Sequence, residues 1–420
     1  MAARTAGMCA AVAVLVVFDY VDVRPALGWL THDSRPSMVF LWIVVVGVIV
    51  LGTARVSRRL RVLPPIALAV GLVMLIPPLV RYSDAHGQEV YPSADRIPTG
   101  PVRAKLKQRP PPNVYLFLLD AYARPDRMRE QFGFDDGSFL RALRSRGFVI
   151  PPETRAAYPM TLRSVPTILN MGYKVNPETS EYVMAGRNRV VATFRQLGYG
   201  FALGPIGLEG FGCKGYEDVC IPPVKTYAAR VGMSDLTWVT LERTPGVDLM
   251  QTVYPPQVGP FASKRQFPAR IARMVLAEPH DQPMFVYGHT LLTHRPYPYQ
   301  GPGCRLQPGE PEGAAAYIGA VKCANASVRS AVRMITRKDP RAVIALASDH
   351  GTDVASAGVG VKLGTRDARR RLSNFVALRL PQRCRSHVPR DLPTVNIFRV
   401  VMNCVTTARL PLLPYRAIPY

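Results

Sequence analysis

Two strongly apolar runs, far apart in the chain, each lead into residues that can bind a metal ion. Residues 114–119 (VYLFLL) precede Asp120, and residues 342–347 (AVIALA) precede the tetrapeptide 348–351 (SDHG). Short apolar runs of this kind predict buried strands. Ligands of open α/β sheets bind beyond the carboxyl ends of the strands, and carboxylate oxygen and imidazole nitrogen suit a divalent cation. The two runs therefore predict one edge of an α/β sheet with a metal site.

Strands and helices alternate along the chain from residue 113 onward. Further strands are predicted at 147–150, 198–202 and 283–289, and helices around 139–144, 189–197, 265–276 and 314–337. Residues 207–260 follow neither period and are predicted to be loops with a few short helices. This alternation predicts an α/β fold, in which a parallel or mixed sheet is sandwiched by helices.

The first 82 residues have a different character from the rest. Residues 37–54 and 62–80 carry no charge, and each run is long enough to cross a bilayer as a helix. The arginine-rich stretch 55–61 between them predicts a cytoplasmic loop. Residues 6–18 form a shorter apolar run, which is either a first span or a signal-type segment. The alternative is a buried hairpin of core helices.

These patterns predict three regions. Residues 1–82 form a membrane region with two to three transmembrane helices, and residues 83–112, rich in Pro and Gly, form a linker. Residues 113–420 form the α/β domain with the predicted metal site, which lies outside the cytoplasm and is anchored to the cell membrane by a multi-pass N-terminal region.

The formal net charge of +24 bears on possible partners. A charge of this size predicts an anionic partner, such as an acidic lipid or a phosphorylated envelope substrate. The alternative is a G+C-rich coding bias combined with a surface that lies near an anionic membrane. The sequence has no helix-turn-helix, zinc-finger or RNA-binding aromatic signature, so nucleic acid is not an expected partner.

Cysteine usage agrees with an oxidising compartment. Six of the seven cysteines fall in the region predicted to be external. Six cysteines allow 15 pairings. The spacing favours three local pairs, and a zinc site is the alternative, although no CxxC pair is present. The favoured pairs are Cys213–Cys220, Cys304–Cys323 and Cys384–Cys404.

A nucleophile can come from residues 158–170 (YPMTLRSVPTILN). This segment predicts a loop that leads into a helix, with Ser164 as the N-cap and Pro166 in the first turn. A hydroxyl at this place would meet a phosphoryl group near the helix N–H donors, and a metal ion could activate it. An ordinary hydroxyl-capped helix fits the same residues. The third strand contributes His289 at its end and His294 shortly after it.

Four motifs in this order resemble the alkaline phosphatase/sulfatase superfamily. They are residues 113–120, 161–166, 289–297 and 348–351. The set is especially similar to membrane-anchored bacterial members, such as lipoteichoic acid synthases and lipid A phosphoethanolamine transferases. The resemblance covers about residues 113–355 and implies an alkaline phosphatase-like fold.

The resemblance also implies roles for individual residues. Thr161 would be the nucleophile and a ligand of one divalent metal ion, Zn or Mn, with Mg and Ca as alternatives. The other ligands of that ion would be Asp120, Asp349 and His350. His294 would contact the substrate or protonate the leaving group, and His289 would contact the substrate, serve a second metal or orient a neighbour. Arg295 and Ser164 complete the expected substrate contacts.

Two departures from the family pattern bear on the function. Sulfatases that depend on formylglycine carry Cys or Ser in a CxPxR-type motif, whereas this chain has Thr161, which argues against sulfate esters. Phosphoethanolamine transferases carry Glu at the first ligand, where this chain has Asp120. The sequence therefore predicts a metal-dependent transferase of phosphoryl groups on an envelope lipid or glycan phosphodiester. The alternatives are a phosphodiesterase, phosphatase or sulfuric ester hydrolase, and a non-catalytic membrane scaffold with this fold.

Overall fold

The computed structural model describes residues 20–31, 35–59, 100–207, 210–223, 267–307, 311–352 and 366–418, together with isolated positions between 9 and 12 and between 241 and 249. The chain divides into two compact units. One contains residues 1–91 and 227–257, and the other contains residues 92–226 and 258–420.

Two helices of the first unit lie wholly within the described residues, α1 (Tyr20–Thr31) and α2 (Arg35–Arg59). Residues Pro36–Arg55 of α2 have a mean hydropathy of 2.5, and this stretch is long and apolar enough to cross a membrane. It contains the predicted span 37–54. The predicted span 62–80 and nearly all of the apolar run 6–18 lie outside the described residues.

The second unit is built on a seven-stranded mixed sheet with the order β2-β10-β9-β1-β6-β4-β5. Strands β5, β4, β6, β1 and β9 run parallel. At one edge β10 pairs antiparallel with β9, and β2 pairs antiparallel with β10, so β2 runs in the same direction as the five parallel strands. The predicted α/β sheet is confirmed. The strands of the unit, including two small two-stranded sheets, are β1 (Val114–Leu119), β2 (Phe148–Val149), β3 (Glu153–Arg155), β4 (Gly200–Gly204), β5 (Val219–Cys220), β6 (Met284–Thr290), β7 (Tyr299–Gln300), β8 (Arg305–Leu306), β9 (Val343–Ala347), β10 (Val376–Arg379) and β11 (Asp391–Pro393).

Helices flank both faces of the sheet. They are α3 (Pro125–Phe132), α4 (Gly137–Arg144), α5 (Thr161–Asn170), α6 (Ser180–Ala185), α7 (Arg189–Gln196), α8 (Pro268–Ala277), α9 (Gly313–Lys338), α10 (Arg366–Leu372), α11 (Gln382–Arg385) and α12 (Ile397–Val405). Side chains of β1 alternate between the two cores, as strand geometry requires. Leu116 packs into the core that contains α12, whereas Phe117 packs into the core that contains α9.

Three disulfides cross-link the second unit, and they are the three local pairs that the spacing favours. The chain N-terminal to β1 is tied to this unit as well. The Val102 N–H donates to Thr193 Oγ1 (3.0 Å), and the Lys107 N–H donates to the Val405 carbonyl (3.0 Å). Residues 100–112, the second half of the predicted linker, therefore lie on the second unit.

Candidate metal centre and nucleophile

The site lies at the carboxyl ends of three adjacent parallel strands. Strand β1 is hydrogen-bonded on one side to β6 and on the other to β9. The chain leaves β1 at Asp120, whose N–H donates to the Thr290 carbonyl at the end of β6 (3.0 Å). Asp349 and His350 follow the end of β9. Their meeting at one sheet edge, which the sequence predicts, follows directly from this strand order.

Each of the two carboxylates has one oxygen that is satisfied by the protein and one that is not. Asp349 Oδ1 accepts the Ala121 N–H (3.2 Å), and Asp120 Oδ2 accepts the Thr161 hydroxyl (3.1 Å). Asp120 Oδ1 and Asp349 Oδ2 are buried and have no hydrogen-bond partner among the described residues. Buried carboxylate oxygens without a partner are costly, so they indicate that a cation completes the site.

His350 is oriented to offer a lone pair to the same place. Its Nδ1 lies 2.8 Å from the Gly351 carbonyl, which can only accept, so Nδ1 carries the hydrogen and Nε2 is free to coordinate. Nε2 lies 3.5 Å from Asp349 Oδ2 and 3.8 Å from Asp120 Oδ1. One ligand atom from each of the three residues lies within 4.8 Å of the others. The donor set therefore fits a divalent cation with nitrogen and oxygen ligands.

The electrostatics of Asp120 keep it ionised. Burial raises the pKa of its carboxyl, but a hydrogen bond from His289 and the nearby imidazoles of His294 and His350 outweigh the burial. The net effect holds the pKa of Asp120 well below its usual range. An ionised carboxylate is the form that binds a cation.

Thr161 is the first residue of α5 and lies beside this cluster. Its Oγ1 is 3.1 Å from Asp120 Oδ2 and 3.4 Å from His350 Nε2. Thr161 is half-buried, whereas Asp120 and His350 are buried, so Thr161 is the most exposed residue of the group. The first turn of a helix also directs N–H groups outward, which favours anions at this place.

The prediction that Ser164 caps this helix is wrong. The N-cap is Met160, and Ser164 lies inside the helix with its hydroxyl donating to the Asp349 carbonyl (2.6 Å). The side chain is fully buried, and its hydrogen bond joins α5 to the end of β9.

Pro166 therefore lies within the helix and not in its first turn. A proline there cannot donate to the carbonyl four residues earlier. That carbonyl belongs to Leu162, and it accepts a hydrogen bond from the Ser180 hydroxyl instead. The Ser180 hydroxyl, 18 residues after Leu162, thus supplies the hydrogen bond that Pro166 cannot donate.

The remaining predicted site residues lie on or after β6. His289 is fully buried, with Nε2 3.3 Å from Asp120 Oδ2. His294 and Arg295 are half-buried in the turn that follows, and His294 Nδ1 lies 2.7 Å from the Arg295 carbonyl. That contact leaves His294 Nε2 as the free acceptor. His289 thus contacts the Asp120 carboxylate directly, whereas His294 lies in the turn that follows the strand.

Backbone packing fixes the turn after β9. The Gly351 N–H donates to the Arg371 carbonyl (2.6 Å), and a Cβ at residue 351 would lie 2.3 Å from the Arg370 carbonyl oxygen. Only glycine allows this approach. Ser348 supports the same turn, because its hydroxyl donates to the Tyr122 carbonyl (2.7 Å) and accepts the Phe375 N–H (2.7 Å).

Two residues near the site were missed by sequence reasoning. Tyr287 contacts His289, and the Thr293 hydroxyl donates to the Asp120 carbonyl (2.5 Å). Tyr287 could have been found from its spacing, because residues two apart in a strand share a face. Thr293 lies in an irregular turn, and no local sequence pattern predicts its hydrogen bond to Asp120.

Comparisons with known proteins give the following matches. A family model described as sulfatase matches residues 112–371. Solved structures of similar fold include the C-terminal periplasmic domain of EcEptC from Escherichia coli, with 15% identity, a TM-score of 0.45, and coverage of 73% of this chain and 86% of that one. Lipooligosaccharide phosphoethanolamine transferase A (EptA) from Neisseria meningitidis has 14% identity, a TM-score of 0.44, and coverage of 87% and 74%. No curated protein matches the chain.

Proposed function

The chain belongs to the sulfatase family, within the alkaline phosphatase superfamily, and we propose that it is a metal-dependent enzyme that transfers a phosphoryl group from an envelope lipid or glycan phosphodiester by way of Thr161. The observation that carries the proposal is the position of Thr161 Oγ1, 3.1 Å from Asp120 Oδ2 and 3.4 Å from His350 Nε2. A half-buried hydroxyl beside a buried carboxylate and a buried imidazole is the arrangement of an activated nucleophile.

Four residues would hold the cation: Asp120, Thr161, Asp349 and His350. Zn or Mn suits this mixed oxygen and nitrogen set best, with Mg or Ca as alternatives. When bound, such an ion supplies positive charge that stabilises charge developing on the phosphoryl oxygens, a contribution of several kcal/mol.

The chain's own residues account for the rest of the chemistry. Asp120 Oδ2 accepts a hydrogen bond from the Thr161 hydroxyl and so orients Thr161 Oγ1. Attack by Oγ1 on phosphorus would form a phosphothreonine ester while the bond to the leaving group breaks, and the hydroxyl proton would pass to Asp120 Oδ2, its hydrogen-bond acceptor. His294, protonated at Nε2 as an imidazolium, would give that proton to the leaving oxygen. An acceptor hydroxyl would then take the phosphoryl group, and water as acceptor would make the enzyme a hydrolase.

The substrate class is proposed from charge and location. The apolar stretch Pro36–Arg55 supports an anchor in the cell membrane, and three disulfides support an oxidising compartment for the catalytic unit. A net charge of +24 would attract anionic lipids or phosphorylated glycans. Threonine in place of the cysteine or serine of formylglycine sulfatases supports phosphate over sulfate as the substrate.

Paired ester substrates test the proposal. The purified full-length chain, supplied with Zn²⁺ or Mn²⁺, is assayed with bis(p-nitrophenyl) phosphate and with p-nitrophenyl sulfate. We expect turnover of the phosphodiester and none of the sulfate. Thr161→Ala should lower phosphodiester turnover by roughly 10³-fold or more, because it removes the attacking atom.

Thr161→Ser serves as the matched variant, since it keeps a hydroxyl at the same place and should retain a measurable part of the activity. Unchanged turnover in Thr161→Ala would contradict the proposed nucleophile. Sulfate turnover above phosphodiester turnover would instead favour a sulfuric ester hydrolase.

A further inference from the structure

Two buried side chains on β6 form a hydrogen-bonded chain that leads to the metal-binding carboxylate. Tyr287 and His289 are two residues apart, so their side chains leave the strand on the same face. Tyr287 Oη lies 3.0 Å from His289 Nδ1, and His289 Nε2 lies 3.3 Å from Asp120 Oδ2. Both side chains are buried.

The direction of these hydrogen bonds follows from the proton on Tyr287. Burial, reinforced by the charges of Asp349 and Asp120, raises the pKa of Tyr287 well above its usual value, so the phenol keeps its proton. A buried hydroxyl donates that proton to an acceptor. His289 Nδ1 is the hydrogen-bond partner of the Tyr287 hydroxyl in the described part of the chain. A neutral imidazole that accepts at Nδ1 carries its hydrogen at Nε2.

We propose that Tyr287 is a positioning residue that fixes His289 as a hydrogen-bond donor to Asp120 and thereby keeps His289 from being a metal ligand. Asp120 Oδ2 then receives two donors, the His289 ring and the Thr161 hydroxyl. Its other oxygen, Oδ1, is the one without a hydrogen-bond partner and is left for the cation.

The contrast with His350 supports this assignment. His350 gives its Nδ1 hydrogen to a backbone carbonyl and points a lone pair at the carboxylates. His289 faces the same carboxylates but accepts at Nδ1, so it points a hydrogen at them. Two histidines at one site thus have opposite tautomers because one has a carbonyl behind it and the other a phenol.

Zn²⁺ affinity provides the first test. The purified full-length chain competes with a chromogenic chelator for Zn²⁺, and the dissociation constants of variants are compared. We expect Tyr287→Phe to bind Zn²⁺ roughly 10- to 100-fold more weakly, the effect usual for residues that orient metal ligands. Tyr115→Phe is the matched control and should leave the affinity unchanged. It removes another buried phenol hydroxyl from the same sheet, one without a hydrogen-bond partner in the described region.

Replacement of His289 distinguishes a donor from a ligand. The side-chain amide of His289→Gln can still donate near the place of Nε2, whereas His289→Ala cannot. We expect the Gln variant to bind Zn²⁺ more tightly than the Ala variant and close to wild type. Equal, large losses in both variants would show that His289 is itself a ligand and would overturn the proposal. Unchanged affinity in both would overturn it as well.

A double-mutant cycle separates positioning from mere packing. Gln has no tautomer to set, so Tyr287→Phe should weaken Zn²⁺ binding much less in the His289→Gln background than in wild type. An equal loss in both backgrounds would mean that Tyr287 acts only through packing, and it would overturn the proposal. If Tyr287→Phe fails to fold, the comparison of the two His289 variants decides.

This inference rests on the proposed cation site, and the two can fail separately. If wild type binds no Zn²⁺, or if Asp349→Ala binds it as tightly as wild type, the cation site itself is wrong. If Asp349→Ala abolishes binding while Tyr287→Phe matches wild type, the site stands and only the role of Tyr287 is overturned.

Discussion

At the scale of single residues, the site depends on which atom of each polar group is already occupied. Asp120 and Asp349 each commit one oxygen to the protein and leave the other without a hydrogen bond. Ala121 contributes by adopting a left-handed conformation, with φ of 57°, from which its N–H reaches Asp349 Oδ1. Such a conformation is costly for a residue with a Cβ, so the surrounding packing must hold this turn in place.

Substitution of Gly351 tests how tightly the turn after β9 is fixed. In Gly351→Ala, the new Cβ would lie 2.3 Å from the Arg370 carbonyl oxygen and 2.6 Å from the Ser373 carbonyl oxygen. Backbone atoms must then move, so we expect a loss of about 1–3 kcal/mol in unfolding free energy. We also expect weaker Zn²⁺ binding, because His350 donates to the carbonyl of this residue.

The measurement is the thermal unfolding midpoint of the full chain, with and without Zn²⁺. Gly212→Ala is the control, since nothing lies within 4 Å of its added Cβ. If both variants unfold at the wild-type temperature, the close approach at Gly351 has no energetic consequence.

At the scale of secondary-structure elements, a buried polar ring joins α9 to the loops around α3 and α4. Tyr122 Oη lies 2.7 Å from both Asp136 Oδ2 and Asn325 Oδ1, and Asn325 Nδ2 donates to Asp136 Oδ1 (2.6 Å). The Tyr122 hydroxyl has one hydrogen for these two oxygens. All three contacts are satisfied when Asp136 is protonated and donates to Tyr122, which then donates to Asn325.

This ring predicts a pH dependence of stability. Burial raises the pKa of Asp136 to about 6, although the hydrogen bonds that Tyr122 and Asn325 donate to the ionised form of the carboxylate partly offset the effect. The folded protein therefore keeps the proton on the Asp136 carboxyl at pH values where the unfolded chain, with an Asp pKa of about 4, has lost it. The contribution of Asp136 to stability is largest below about pH 4 and falls by roughly 3 kcal/mol as the pH rises to about 6.

Asp136→Asn should remove this dependence, because an amide keeps the hydrogen bonds without a charge. The unfolding midpoint of the variant, relative to wild type, should rise between pH 4 and pH 6 and then stay level. Asp135→Asn, at an exposed neighbour, should lack this rise. A constant difference between Asp136→Asn and wild type across the whole range would contradict the prediction.

Sequence reasoning succeeded for elements whose signal is local. The strands that lead to Asp120 and Asp349, and the long helix α9, follow from apolar runs and helical periodicity. It failed at α5, because the pattern Ser-Val-Pro is typical of a helix start. The helix continues through Pro166 because Ser180, from another element, satisfies the Leu162 carbonyl. A partner of this kind is set by tertiary packing and leaves no local signal.

At the scale of the whole molecule, membrane anchoring and disulfide formation depend on one topology. The described apolar stretch Pro36–Arg55 is followed by Arg58 and Arg59, and the sequence offers a second charge-free run at 62–80. Arginines between the two runs predict a cytoplasmic loop, which would bring the chain after residue 82 outside the cytoplasm. The six cysteines of the second unit would then lie in the oxidising compartment that disulfide formation needs.

A reporter fusion tests this topology. An alkaline phosphatase reporter, which is active only after export, is joined after residue 82 and, for comparison, after residue 59. We expect activity from the fusion at residue 82 and little from the fusion at residue 59, because positive residues remain on the cytoplasmic side. The reverse pattern would place the catalytic unit inside the cell and remove the basis for the disulfides.

The central claim is that Thr161 attacks phosphorus, and the most direct measurement is the mass of the peptide that contains it. The purified full-length chain is incubated with Zn²⁺ and a phosphodiester substrate, quenched in acid and digested, and the peptides are sequenced by mass spectrometry. We predict a phosphorus-containing adduct on Thr161 that is absent from Thr161→Ala and strongly reduced in Asp349→Ala. A protein that turns over the phosphodiester with its adduct on another residue, or that retains turnover after Thr161→Ala, would contradict the claim.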